Sequence, residues 1–160
     1  MIEGYKRSEC CCFTGHRPEK LHKSESEIIS SLEKRISEAI DDGYTIFISG
    51  MSRGVDIWSA NIVLRFKELN PAIRLIAALP YEGMGSRWKS EWKKDYINIL
   101  DKADFVECFS EKYSRNIYLI RDKWMVDMSS RVIAVYHGEP GGTKNTMDYA
   151  EKCGIEVIEC

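Results

Sequence analysis

The chain has 160 residues, of which 44% are hydrophobic, and a formal net charge of −2 at pH 7, which together fit one domain spanning residues 1–160. This balance gives no global basic field, which argues against a nucleic-acid function but leaves room for a local basic groove. No apolar stretch approaches the roughly 20 residues that cross a bilayer and the first ten residues are too polar for a signal peptide, so we expect a cytoplasmic protein with no membrane partner.

In chain order, the first elements are a short apolar strand at residues 10–13 and a helix that Ser24 and Glu27 open with a capping-box pattern. Aromatic and β-branched residues at 44–48 predict the second strand. Apolar positions from Val55 onward trace one helix face until Asn70-Pro71.

The nearly continuous apolar run at 73–79 is typical of a strand covered on both faces. The next helix is marked by Trp88, Trp92, Tyr96 and Ile99 at helical spacing, which we interpret as core rather than as a ligand box. The remaining predicted elements are a strand at 103–109, a helix face formed by Ile117, Ile120, Trp124 and Met128, a strand at 132–136, a helix with Met147 and Ala150, and a strand at 155–158.

This strict alternation predicts an α/β fold, a Rossmann-like three-layer sandwich with a mostly parallel sheet of five or six strands. The connection at residues 80–87 contains two glycines and is either a lid or a loose surface turn. Cys10, Cys11 and Cys12 fall in the first strand, where neighbouring side chains point to opposite faces. We expect reduced cysteines and no metal site, because no zinc-ligand spacing is present. We also expect no cofactor.

Three loops follow predicted strands and precede predicted helices: Thr14–Pro18, Ser49–Asp56 and Gly138–Thr146. In a parallel sheet all three emerge at the same edge, which is the edge where such folds bind ligands. Glycines allow close backbone approach, and helix N-termini offer unpaired N–H groups beneath a positive dipole end. The loops therefore predict a nucleotide-like ligand.

In the first loop, Arg17 is the strongest phosphate candidate, because a guanidinium binds phosphate in bidentate fashion and keeps its charge. The alternative is an ion pair with Asp56 that only ties two loops together. His16 has a pKa range suited to proton transfer, but a structural or binding role is favoured over a catalytic one. Thr14 and Gly15 complete the candidate set in this loop.

The second and third loops supply further candidates. Asp56 either caps a helix or binds ribose hydroxyls. Arg115 and Asn116 either read a base or sugar or form a solvated helix start. The third loop lacks the spacing of a Walker motif and of a dinucleotide-binding fingerprint. The other candidate residues here are Ser49, Gly50, Arg53, Gly54, Gly141, Gly142, Thr143 and Thr146.

In combination, Thr14–Pro18, Ser49–Asp56 and Gly141-Gly142-Thr143 with Thr146 resemble the loops of the SLOG superfamily, and more narrowly its DUF1273 or YpsA-like family. The resemblance implies a Rossmann-like sheet with a site for a nucleotide or nucleotide-derived ligand. It also relates the chain to the Lonely Guy phosphoribohydrolases and to DNA-processing protein A, which binds single-stranded DNA.

The chain departs from both of those branches. Pro140-Gly141-Gly142-Thr143 lacks the x-Gly of the hydrolase motif, and only Asp148 follows where the hydrolases carry a glutamate pair. The negative net charge, and the lack of a Lys/Arg-dense segment, argue against strong contacts with a phosphate backbone. We expect a nucleotide-binding or sensing protein, with an N-glycosidic hydrolase and a single-stranded nucleic-acid binder as alternatives. Homo-oligomerisation stays open.

Overall fold

The computed structural model describes residues 1–160 and contains one six-stranded sheet and five α-helices. The strands are β1 (Cys10–Gly15), β2 (Ile46–Ser49), β3 (Arg74–Leu79), β4 (Phe105–Cys108), β5 (Arg131–Val135) and β6 (Glu156–Glu159). The helices are α1 (Glu25–Asp41), α2 (Val55–Leu69), α3 (Ser90–Lys102), α4 (Ile117–Asp127) and α5 (Gly142–Lys152).

All neighbouring strands pair in parallel, in the order β4-β3-β2-β1-β5-β6. The chain proceeds outward from β1 to β4 and then crosses back to place β5 on the other side of β1. In such sheets a crevice opens where the strand order reverses, outside the carboxyl ends of the strands. Here that point lies between β1 and β5. The predicted α/β fold with a parallel sheet is confirmed.

The four central strands are covered on both faces and are mostly apolar, whereas the edge strands β4 and β6 are partly exposed and carry glutamates. The alternation expected for the cysteines of β1 is present: Cys11 packs in a core with α1, α2 and α3, whereas Cys10 and Cys12 pack in a second core with α4 and α5. All six cysteines are free. Three layers therefore hold two separate hydrophobic cores.

The capping pattern predicted for α1 is confirmed, since the Ser24 side chain accepts a hydrogen bond from the backbone N–H of Glu27. No helix of the fold combines the length and the apolar character needed to cross a membrane.

Two details of the helix predictions are wrong. Helix α3 begins at Ser90, so Trp88 precedes it and packs edge-on against Tyr96 with ring centroids 5.2 Å apart. In α4 the predicted face is rotated: Ile120 is 51% exposed, whereas Arg121 is 3% exposed. Periodicity assigned the apolar side chains to the core, but a buried arginine is tolerated here because hydrogen bonds satisfy its guanidinium.

The connection at residues 80–87 forms successive turns, with Gly83 at a positive φ of 75°. The Glu82 N–H donates a 3.0 Å hydrogen bond to the carbonyl oxygen of Ser110, which ties this connection to the loop after β4. Tyr81 adds an edge-on aromatic contact with Tyr113, whose ring centroid lies 5.7 Å away. These two contacts hold the connection at residues 80–87 against the loop that follows β4.

Candidate functional site

A crevice of about 320 Å³ opens at the carboxyl ends of β1 and β5, at the point where the strand order reverses. It is lined by Phe13, Thr14, Gly15, His16, Arg17, Lys20, Asp56, Tyr118, Arg121, Asp122, Met125, Pro140, Gly141, Gly142 and Thr143. The first and third predicted loops thus supply most of one wall. Its volume lies at the small end of the range for ligand pockets.

Arg17 contributes an uncommitted cation to the crevice. Its guanidinium lies 5.8 Å from the centroid of the Tyr118 ring and forms no ion pair with any carboxylate of the chain. The alternative role as an ion-pair partner of Asp56 is therefore not realised. A partly desolvated guanidinium without a carboxylate partner is a receptor for an external anion.

His16 is almost completely buried, with 6% of its surface exposed, yet its Nε2 atom has no hydrogen-bond partner. Burial lowers the pKa of His16 below its usual value, and the neighbouring His137 and Lys20 lower it further. The ring lies 5.4 Å from that of Tyr136 at the end of β5. The His16 ring thus lines the crevice, and its buried Nε2 atom has no hydrogen-bond partner within the fold.

The third loop brings the N-terminus of α5 to the crevice. Gly141 is the N-cap residue and adopts a φ of 137°, a conformation that a residue with a side chain rarely adopts. At Gly142 an added Cβ would find only the Asp122 Oδ2 atom, 4.0 Å away. Thr143 is buried and lines the crevice beside it. This helix start leaves room for an anion above its first N–H groups.

Thr146 plays a different part from the one predicted. Its hydroxyl donates a 2.8 Å hydrogen bond to the carbonyl oxygen of Gly142 one turn earlier, and the residue does not line the crevice. It stabilises the start of α5 from within the helix.

Sequence reasoning missed the opposite wall, which α4 supplies through Tyr118, Arg121 and Asp122. The Arg121 Nη1 atom donates to the carbonyl oxygens of Gly50 and, at 3.3 Å, Ala78, while its Nε atom pairs with Asp122 Oδ1 at 2.7 Å. These contacts fix the guanidinium between two strand ends. A signal was present in the sequence: Ile117, Arg121 and Met125 occur at intervals of four, and all three are buried.

The second loop is held together by its own hydrogen bonds. The Ser49 hydroxyl donates to the Asp56 carbonyl oxygen at 2.8 Å and accepts from the Met51 N–H at 3.2 Å. The Asp56 carboxylate accepts from the Ser52 N–H at 3.2 Å. A Cβ added at Gly50 would lie 2.8 Å from Arg121 Cζ. Ser49 and Gly50 therefore brace the loop and do not line the crevice.

Asp56 is the one residue of the second loop that lines the crevice. Burial raises the pKa of its carboxyl group, although the nearby guanidinium groups of Arg121 and Arg17 act in the opposite direction. The carboxylate lies at the start of α2 and keeps an acceptor oxygen available for a hydroxyl group.

The remaining predicted residues lie outside the lining. Arg53 forms an ion pair with Glu19, and Gly54 begins α2 at a φ of 91° against Pro18. Arg115 and Asn116 are exposed just before α4. The structure therefore brings together Thr14, Gly15, His16, Arg17, Asp56, Gly141, Gly142 and Thr143, and separates the other candidates from them.

Gly15 has a packing role in addition to its place in the lining. A Cβ at this position would lie 2.7 Å from Cγ1 of Val55, closer than real Cβ atoms approach one another. The missing side chain allows the first turn of α2 to lie against the end of β1. That contact positions Asp56 next to the first loop.

The charges of the lining sum to +1, with Arg17, Lys20 and Arg121 against Asp56 and Asp122, when His16 is neutral. No three His, Cys, Asp or Glu side chains are grouped so as to hold a metal ion. The available chemistry is anion binding by a guanidinium and a helix N-terminus, together with hydrogen bonding by a neutral imidazole and a carboxylate.

Comparison with known proteins matches residues 1–154 to the family model described as the YspA SLOG family. A UPF0398 protein of Oceanobacillus iheyensis is 30% identical over 95% of this chain and 81% of its own length. A UPF0398 protein of Halalkalibacterium halodurans is 27% identical over 94% of this chain and 79% of its own.

Among solved structures, the chain is similar in fold to DNA processing protein A from Helicobacter pylori, with a TM-score of 0.61 and 17% identity. The match covers 94% of this chain and 64% of that protein, whose structure was described for its single-stranded DNA binding mode. At this identity the similarity concerns the fold.

Proposed function

We propose, from the premise that this chain belongs to the YspA SLOG family, that its crevice binds the phosphate group of a nucleotide or nucleotide-derived ligand. The observation that carries the proposal is the free guanidinium of Arg17, which shares the lining with the N-terminus of α5. A charged donor and a positive helix end that share one small crevice favour an anion with several acceptor oxygens.

The rest of the lining supports a ligand that carries more than a phosphate. His16 Nε2 is buried and without a partner, and the Asp56 carboxylate keeps acceptor capacity toward the crevice. One nitrogen and one carboxylate are suited to the hydroxyl groups of a sugar. The Tyr118 ring, which has Arg17 and Arg121 over it, adds an aromatic surface on the opposite wall.

We assign the crevice to binding or sensing rather than to hydrolysis of an N-glycosidic bond. Asp148, a carboxylate considered for that reaction, pairs with Lys144 at 2.8 Å and lies outside the lining. Asp122 is paired with Arg121, and Asp56 accepts a backbone N–H. The lining therefore offers one carboxylate without an ion-pair partner, Asp56, where a two-carboxylate glycosidase mechanism needs a pair.

The test begins with native mass spectrometry of the freshly purified protein, which we expect to reveal a bound phosphate-bearing nucleotide. Thermal melts with nucleoside mono-, di- and triphosphates and NAD-derived nucleotides then rank candidate ligands by stabilisation. No bound mass and no shift with any nucleotide would overturn the proposal. Multiple turnovers of free base, detected by chromatography and abolished by Asp56→Asn in a folded protein, would replace binding with hydrolysis.

A further inference from the structure

A second surface is formed by the segment Arg87–Lys94, which joins the turns after β3 to the start of α3. Its eight residues contain four cations and two tryptophans, and Glu91 is its only acidic residue. Such a density of positively charged residues is unusual in a chain with a net charge of −2. It corrects the expectation that no Lys/Arg-dense segment is present.

The positive charge of this segment is not neutralised within the fold. All four cations are exposed, and none forms an ion pair. Lys89 is the N-cap residue of α3, and the Lys93 N–H donates to its carbonyl oxygen at 3.1 Å, so the two lysines stand one turn apart. Unpaired lysines at a helix N-terminus oppose the helix dipole, which points to an external anion as their partner.

The two tryptophans are each held from one side. Trp88 packs edge-on against Tyr96, and Trp92 lies with its ring centroid 5.9 Å from that of Trp58. Both rings are half-buried, and both line a groove of about 490 Å³. The groove is completed by Pro18, Glu19, Arg53, Arg87 and Lys89. Anchored aromatic rings with cations beside them form a stacking platform.

The groove is distinct from the crevice but lies next to it. The short segment Arg17–Lys20 separates them: Arg17 and Lys20 line the crevice, while Pro18 and Glu19 line the groove. An occupant of the groove therefore does not require the crevice ligand to be displaced.

We infer that this groove binds single-stranded nucleic acid, a function beyond the proposed binding of a nucleotide in the crevice. The phosphate backbone contacts Arg87 and Lys89 in the groove and continues to Lys93 one turn along α3, while bases stack on Trp88 and Trp92. Flat rings set between dispersed cations suit unpaired bases on a flexible backbone, whereas a duplex buries its base faces. A lipid surface is less suited, because both indoles are half-buried and packed against Tyr96 and Trp58.

The test measures fluorescence anisotropy of a labelled oligodeoxythymidylate of about 16 nucleotides, the upper end of common site sizes. We expect K89E/K93E to weaken binding by at least about tenfold and to reduce the slope of log K against log salt by about 1.4, since two phosphate contacts are lost. Both substitutions place carboxylates at a helix N-terminus, which preserves folding.

The matched control is K34E/K152E, which makes the same change in net charge at two exposed, unpaired lysines of α1 and α5. We expect it to bind the oligonucleotide within about twofold of the wild type. Trp88→Leu should in addition reduce the quenching of tryptophan fluorescence that base stacking produces.

Three results would overturn the inference: no saturable oligonucleotide binding at low salt, equal weakening by both double variants, or binding to phosphatidylserine vesicles without binding to the oligonucleotide. Mononucleotide binding, followed separately by thermal shift, reports on the crevice. Failure of one site is thereby distinguished from failure of the other.

Discussion

The first loop, Thr14–Pro18, and the second loop, Ser49–Asp56, both contain glycine and polar residues but have different roles in the structure. In the second loop most polar groups have partners, since Ser49 bonds to the Asp56 backbone, the Asp56 carboxylate accepts a backbone N–H and Arg53 pairs with Glu19, whereas the buried Ser52 hydroxyl has none. In the first loop, His16 Nε2 and the Arg17 guanidinium have no such partners. Both loops stand at the same edge of the sheet.

The two loops differ most clearly in their cations, since Arg53 of the second loop has a carboxylate partner and Arg17 of the first loop has none. A guanidinium without a carboxylate partner inside the fold is available to an external anion, and Arg17 lies at the crevice in this state. The second loop holds Asp56 and the start of α2 in place. The first loop, together with the N-terminus of α5, faces the ligand.

The largest expected effect comes from removing the brace behind the second loop. Arg121→Ala should lower the free energy of unfolding by about 3–5 kcal/mol, because it removes the cation beside the buried Asp56 and the half-buried Asp122 and leaves the Gly50 carbonyl oxygen without its donor. Urea denaturation measures this loss. Arg53→Ala, which removes a partly exposed ion pair, should cost only about 0–1 kcal/mol. Equal losses would contradict the assignment of Arg121 as the brace.

The next largest difference in stability is expected between substitutions of Gly15 and Gly142, the glycines of the two loops that line the crevice. Gly15→Ala should destabilise the fold by about 1–3 kcal/mol, since its Cβ meets Val55 in a packed core. Gly142→Ala, where the nearest atom is 4.0 Å away, should leave the free energy of unfolding within about 0.5 kcal/mol of the wild type. Thermal and denaturant melts of the two variants make the comparison. A destabilised Gly142→Ala variant would place α5 closer to α4 than described.

The smallest effect is a pH dependence that arises beside the first loop. Burial lowers the pKa values of His16 and His137 in the folded protein below the ordinary 6.5. Between these lowered pKa values and about pH 6.5, the unfolded chain therefore binds more protons than the folded protein does. The stability present above about pH 6.5 is lost as the pH falls toward the folded-state pKa values. The free energy of unfolding should rise between about pH 5 and pH 7. In a His16→Gln/His137→Gln variant the free energy of unfolding should depend less steeply on pH. An unchanged slope would assign the pH dependence to other titratable groups.

Much of the fold could be predicted from the sequence, because it depends on local periodicity and capping. The Ser24 cap, the apolar strands and the three loops at one edge are of this kind. The role of Arg121 could not be predicted, since its burial depends on carbonyl oxygens of Gly50 and Ala78 that are distant along the chain. For the same reason sequence could not separate Ser49, which is internally bonded, from Thr143, which lines the crevice.

The central claim, that the first loop binds a phosphate which the second loop does not touch, is tested most directly by isothermal titration calorimetry. The ligand is the nucleotide that most stabilises the wild-type protein, and the variants are Arg17→Ala and Arg53→Ala. We predict that Arg17→Ala weakens binding by about 1.5–3 kcal/mol with an unchanged apo melt, whereas Arg53→Ala binds as the wild type does. Unchanged affinity in Arg17→Ala, or an equal loss in both variants, would contradict the account.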